Sequence, residues 1–136
     1  TYSTYYWQNA AWYEVVYEPE KLPVENQPNF HWYKNMVEFF EKYNFNELEP
    51  YQSSFTPYCL TNNEDISIFY ATKTMERLTG DVKALTGKSV TIKWFDPYTG
   101  KYLDGGKREF GGPWMGIDKP DELKDQIAVG ILEVVK

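Results

Sequence analysis

From Ser53 onward hydrophobic and polar residues alternate with period two, whereas residues 1–52 carry clustered aromatics and one helical repeat. Period two places successive side chains on opposite faces of a strand, and spacings of three and four place them on one side of a helix. TPYCLT and DISIFYAT therefore predict two short strands, joined by the turn-forming link Asn62-Asn63-Glu64. MERLTGDV predicts an irregular strand. Ser89–Phe95 is a strand that runs into Asp96-Pro97-Tyr98-Thr99-Gly100, after which Lys101–Leu103 resumes the alternation. Two extended segments closed by Asp-Pro-x-x-Gly form a β-hairpin. Pro97 presets the backbone angle of the turn, Asp96 can accept hydrogen bonds from turn amides, and Gly100 can take a left-handed conformation. GGKREFGG reads as a further short strand between glycines. Trp114–Lys124, with prolines and acids nearby, reads as a loop. QIAVGILEVVK ends the chain as a strand nearly continuous in Ile, Val and Leu, a pattern that suits a central position buried on both faces.

The helix is predicted after Asn29, a plausible N-cap. Trp32, Tyr33, Met36, Val37, Phe40 and Tyr43 recur at helical spacing, and Lys34, Glu38, Glu41 and Lys42 fall on the other face. It should stop near Asn44, with NELEP leading out. The fold expected is mainly β: an antiparallel β-sandwich of about six to eight strands preceded by an α-helical segment.

A chain of 136 residues can hold one domain with a real core, burying roughly 68–70% of its unfolded surface. The formal charge of −6 argues against nucleic acid as a partner, because phosphates repel an acidic surface. No apolar run is long enough for a membrane span. The single cysteine, Cys59, leaves no internal disulfide. No signal peptide is visible, and an opening at Thr1 inside TYSTYYW leads us to expect a piece of a longer protein.

Catalytic signals are weak. His31 is the only histidine and falls in the first turn of the helix, whereas Cys59 falls in a strand, so the plainer reading is a helix-start histidine and a buried structural thiol. Asp96, Asp104, Glu109, Asp118, Asp121 and Glu122 could supply a glycosidase pair, but Asp96 is better explained as a turn residue and the last three as a solvated loop. With one histidine and one cysteine, a zinc site is nearly excluded. Loop oxygens around Asp118–Asp121 could take calcium, although the EF-hand pattern is absent, and Gly105-Gly106 and Gly111-Gly112 lack the lysine of a phosphate loop. No cofactor, metal ligand or catalytic residue is assigned. The stronger signal is the aromatic share of 18%. Tyr98, Tyr102, Trp114 and Tyr58 could present rings to sugar or proline faces, or pack into the core or a neighbouring domain.

The segments YCLTNNEDISIFYATK, ALTGKSVTIKWFDPYTGKY and AVGILEVVK carry a family resemblance. Over residues 55–136 the chain resembles the β-sandwich labelled the collagen-binding domain of a collagenase, which follows an apiosidase-like (β/α)8 glycoside hydrolase barrel. The opening TYS with Trp7-Gln8 is similar to the end of that barrel, with Ser3 where the family has glycine. WYEVVYEP resembles the approach to the last barrel helix, and WYKNMVEFFEKYNFNELEP that helix and its link.

The resemblance implies a barrel remnant over residues 1–52 and a C-terminal sandwich over 53–136. It implies a bacterial glycoside hydrolase-like parent that is secreted, periplasmic or at the cell surface. Catalytic carboxylates of such an enzyme sit at barrel strand ends, so none is carried over to this chain. The implied role is non-catalytic: packing on the parent barrel and helping to hold polysaccharide, with Trp7 lining the barrel mouth; Tyr98, Tyr102 and Trp114 stay ligand-binding candidates from the aromatic excess alone. Self-association of a truncated chain is expected through an uncovered interface. The alternative is an independent adhesion module for collagen-like or glycan chains. A small stand-alone enzyme has the least support.

Overall fold

The computed structural model describes residues 17–24, 27, 29–51 and 58–136. A helix, α1 (Phe30–Lys42), precedes eight strands among the described residues. These are β1 (Glu49–Pro50), β2 (Cys59–Thr61), β3 (Ile66–Ala71), β4 (Arg77–Asp81), β5 (Ser89–Phe95), β6 (Tyr102–Glu109), β7 (Trp114–Asp118) and β8 (Ala128–Val134). The larger sheet has the order β1-β2-β3-β8-β5-β6, and β4 pairs with β7 in a two-stranded sheet. Every strand pair is antiparallel. The mainly β, helix-preceded architecture expected from the sequence is therefore the one observed.

The pleat explains how the large sheet is buried on both sides. Val90, Ile92 and Trp94 of β5, with Ala128 and Leu132 of β8 and Phe69 and Ala71 of β3, form one core with Leu78 of β4 and Met115 and Ile117 of β7. Ile68, Ile131 and Phe95, on the alternate positions, form a second core with Phe39 of α1 and Tyr43 at its C-cap. The terminal strand is central, between β3 and β5, as its unbroken apolar run predicts. Gly130 sits where the sheets crowd: an added Cβ would stand 2.5 Å from Leu78 Cδ1 and 3.5 Å from the Trp94 ring.

Two segments differ from expectation. Trp114–Asp118 is a strand rather than a loop, because Met115 and Ile117 alternate into the core and the flanking prolines only bound the segment. GGKRE is not a separate strand; β6 continues unbroken through it, and the register shifts between Thr91 and Lys93 on the partner strand. Gly105 permits close approach at that irregularity, since a Cβ there would lie 2.6 Å from Ile92 Cγ2. The edge strand β6 is almost wholly exposed and carries Lys107 and Arg108, charges that discourage pairing with another chain.

The helix is fastened to the sandwich. It starts after Asn29, which makes no side-chain cap bond, and ends at Tyr43, followed by Asn44 in the left-handed region at φ 48°. Phe39 stacks obliquely on Phe95 with ring centroids 4.7 Å apart. Asn35 donates to the carbonyl oxygens of Pro97 and Tyr98 at 3.0 and 3.3 Å. Both α1 and β1 precede residue 52, and both are built onto the large sheet.

Candidate functional site

The α1 helix covers only part of its sheet face. Beside it runs a groove of about 450 Å³. Trp32, Met36 and Phe40 form the helix wall, Leu60, Ile68, Tyr70 and Val129 the sheet floor, and Pro97 and Tyr98 of the hairpin turn one end. The lining is almost wholly apolar. Trp32 packs edge-on to Tyr98 at 5.1 Å, and Tyr58 edge-on to Tyr70 at 6.0 Å. Tyr58 is held at φ 49°, a strained value for a bulky residue, and its ring stays 64% exposed. Tyr70 and Trp32 are also exposed.

The predicted ligand residues are spread over different elements. Tyr98 is half-buried at the groove end against Trp32. Tyr102 begins β6, packs on Phe95 at 4.9 Å, and has the Lys42 ammonium 3.8 Å from its ring centre, a cation–π contact. Trp114 belongs to the two-stranded sheet and is 62% exposed. Trp7 lies outside the described residues. The groove residues Tyr70 and Trp32 did not stand out in the sequence as ligand candidates; their period-two and helical positions were legible, but the shared groove depends on where α1 crosses the sheet.

A second concavity, of about 540 Å³, lies on the same sheet face at the C-terminal end of α1. Its walls are polar: Lys42 at the last turn of the helix, Asn44 and Glu47 after it, Thr91 and Lys93 of β5, Glu133 of β8, and Asp65 and Lys136 at the rim. Lys93 pairs with Glu133 at 2.6 Å and Lys136 with Asp65 at 2.8 Å. The Lys136 ammonium and the Asn62 amide hold the Asp65 carboxyl below its ordinary range.

The carboxylates considered for catalysis have local partners. Asp96 accepts from the Tyr98 amide at 2.9 Å and the Thr99 hydroxyl at 2.7 Å, the role expected of a turn aspartate. Asp104 accepts from the Gly106 amide at 2.8 Å. Asp118 faces Arg77 through two hydrogen bonds of 2.5 and 3.1 Å, which lower its pKa, and Asp121 pairs with Lys124. His31 is exposed on α1, whereas Cys59 is buried in β2 within the core facing the small sheet. Burial pushes the Cys59 thiol up to about 12. Among the described residues no group of three or more His, Cys, Asp or Glu side chains is placed to hold a metal ion. No described helix is long and apolar enough to cross a membrane.

No protein-family profile matches the chain, and no curated protein matches it. Solved structures do. A protein described as a glycoside hydrolase superposes with a TM-score of 0.62 at 16% identity, covering 79% of this chain and 26% of that one. A glycoside hydrolase family 5 protein from Bacteroides vulgatus ATCC 8482 superposes with a TM-score of 0.59 at 17% identity, covering 79% of this chain and 24% of that one. At such identity the likeness is one of fold. The chain spans about a quarter of the length of these structures.

Proposed function

We propose that this chain is a non-catalytic β-sandwich accessory domain of a longer glycoside hydrolase-related protein, and that its apolar groove is where the catalytic part of the parent chain docks. The observation that carries this is the groove lining: exposed aromatic and aliphatic side chains with almost no polar surface between them. A sugar platform combines rings with nearby groups that take the hydroxyls, because a few placed polar contacts fix orientation. This groove lacks them and suits the apolar face of a protein segment. The structures of similar fold add support: each is about four times as long as the region it shares with this chain. Turnover belongs to that remainder, since Asp96, Asp104, Asp118 and Asp121 here serve turns and surface pairs.

The test is hydrogen exchange on the chain alone and on the product of its complete reading frame. Slower exchange at Leu60, Tyr70 and Tyr98 in the longer protein is the expected result. Equal exchange would place the groove in solvent and favour an independent adhesion module. Glycoside hydrolysis by the pure chain, lost when its own Asp or Glu residues are replaced, would overturn the non-catalytic role.

A further inference from the structure

The polar cleft at the end of α1 has no part in the docking just described. We propose that it is a binding site for a neutral carbohydrate chain. It rests on the glycoside hydrolase-related reading only in choosing carbohydrate among hydroxylated ligands.

Its volume of about 540 Å³ falls within the range of small-molecule sites. Three ammonium groups, Lys42, Lys93 and Lys136, face three carboxylates, Glu47, Asp65 and Glu133, so the lining carries no net charge to select an ion. Donors and acceptors alternate instead. Glu133 is the register partner of both Ile66 and Thr91, with the Lys93 ammonium 2.6 Å from its carboxylate. A sugar hydroxyl donates and accepts at once. Neighbouring hydroxyls on one ring can therefore accept from Lys93 while donating to Glu133, without either ion losing its partner.

A second observation points to the same place. Tyr43 lines the cleft and is only 7% exposed, yet its hydroxyl has no hydrogen-bond partner among the described residues. Burial raises its pKa well above the ordinary tyrosine value, and Tyr102 and Glu133 raise it further, so the proton stays on at neutral pH. The Tyr102 hydroxyl faces it and engages it only weakly, outside the geometry of a full hydrogen bond. A buried donor so weakly paired is costly, and a hydroxylated ligand entering beside Glu133 would supply a better acceptor.

The test is a titration of the isotope-labelled 136-residue chain, followed by backbone amide shifts. The probes are short linear gluco-, xylo- and manno-oligosaccharides, with oligogalacturonate as the anionic control. At least one neutral sugar should move Lys42, Asn44, Lys93 and Glu133. Glu133→Gln and Lys93→Met should each weaken that binding about tenfold, the loss of one charged hydrogen bond. Lys136→Ala, at a side chain that is 84% exposed, should weaken it in the same direction. Tyr43→Phe should weaken it while leaving the melting temperature unchanged or higher. The proposal is overturned by no shift with any neutral sugar at millimolar concentration, by shifts confined to the apolar groove, or by binding of oligogalacturonate alone. The titration uses the chain by itself, so its failure is separate from a failure of the docking reading, which hydrogen exchange in the longer protein decides.

Discussion

Asn35, in the middle of the helix, donates its side-chain N–H to the carbonyl oxygen of Pro97 at 3.0 Å, across the top of the β5–β6 hairpin. Its carbonyl oxygen stands 2.7 Å from where a Cβ on Gly100 would be. The turn and the helix therefore constrain each other: Gly100 is fixed both by φ of 73° and by the space Asn35 occupies. Asn35→Ala should cost about 1 kcal/mol, the ordinary worth of a hydrogen bond, and lower the melting temperature by about 3–5 °C. Gly100→Ala should cost about 1–3 kcal/mol through backbone strain and overlap. Part of the second penalty should vanish in the Asn35→Ala background, where the overlapping amide is gone. Simple additivity in that double-mutant cycle would show that the two sites are independent.

Gly130→Ala should be more damaging, by about 1–3 kcal/mol, the usual cost of overpacking a close-fitted core. The added methyl meets Leu78 at 2.5 Å from the opposite sheet, with Trp94 behind it. Leu78→Ala in the same chain should recover some of the loss by opening that space. Urea denaturation of the three variants checks this, and a Gly130→Ala protein as stable as the parent would mean the sheets separate easily.

Lys119 is 2% exposed, and its ammonium donates to the carbonyl oxygens of Thr72 and Gln126, each at 2.9 Å. It ties the turn after β3 to the loop before β8. Loss of solvation lowers its pKa, but the carbonyl oxygens keep its protons bonded. Lys119→Met fills much of the space and leaves those carbonyls without their donor, at about 2–3 kcal/mol. Near-native stability in thermal melts of this variant would show that water replaces the ammonium there.

How much of this was legible follows from range. The strands β2, β3, β5 and β8 were visible because alternation and the Asp96–Gly100 turn are local signals. Strand β7 was hidden by Pro113 and Pro120, although Met115 and Ile117 already alternated. The run through Gly105 and Gly106 looked like a break because a strand irregularity uses the same residues as a turn. Neither concavity was legible. Each is formed by residues of α1 and its end meeting residues far along the chain, such as Met36 with Val129 or Tyr43 with Glu133, and no local pattern records that crossing.

Cys59 gives a prediction about alkaline pH. Its folded pKa of about 12 lies above the ordinary thiol value of 9.0, so the folded state holds the proton more tightly. The stability this contributes is complete below pH 9 and is lost as pH rises toward 12. Tyr43 acts in the same direction at still higher pH. Melting temperature should fall steadily above pH 9, and less steeply in Cys59→Ala. Native protein should resist a thiol reagent at pH 8 and react fully once unfolded. Rapid native labelling would mean that β2 opens locally.

Among the described residues nothing fills the groove, so the isolated chain should associate. About 450 Å³ of apolar concavity, rimmed by the exposed rings of Trp32, Tyr58 and Tyr70, faces water unless something fills it. Sedimentation velocity on the chain should show concentration-dependent dimers or larger species. Tyr70→Lys places an ammonium on the groove floor, on a side chain already 41% exposed, so the fold should survive while association weakens about tenfold or more. Trp114→Lys makes a control of equal charge on the other sheet and should leave association unchanged. Equal loss in both variants would trace association to general charge rather than to the groove. If only Tyr70→Lys acts, the same residue becomes the one to change in the longer protein, where it should loosen the contact between the sandwich and the catalytic part.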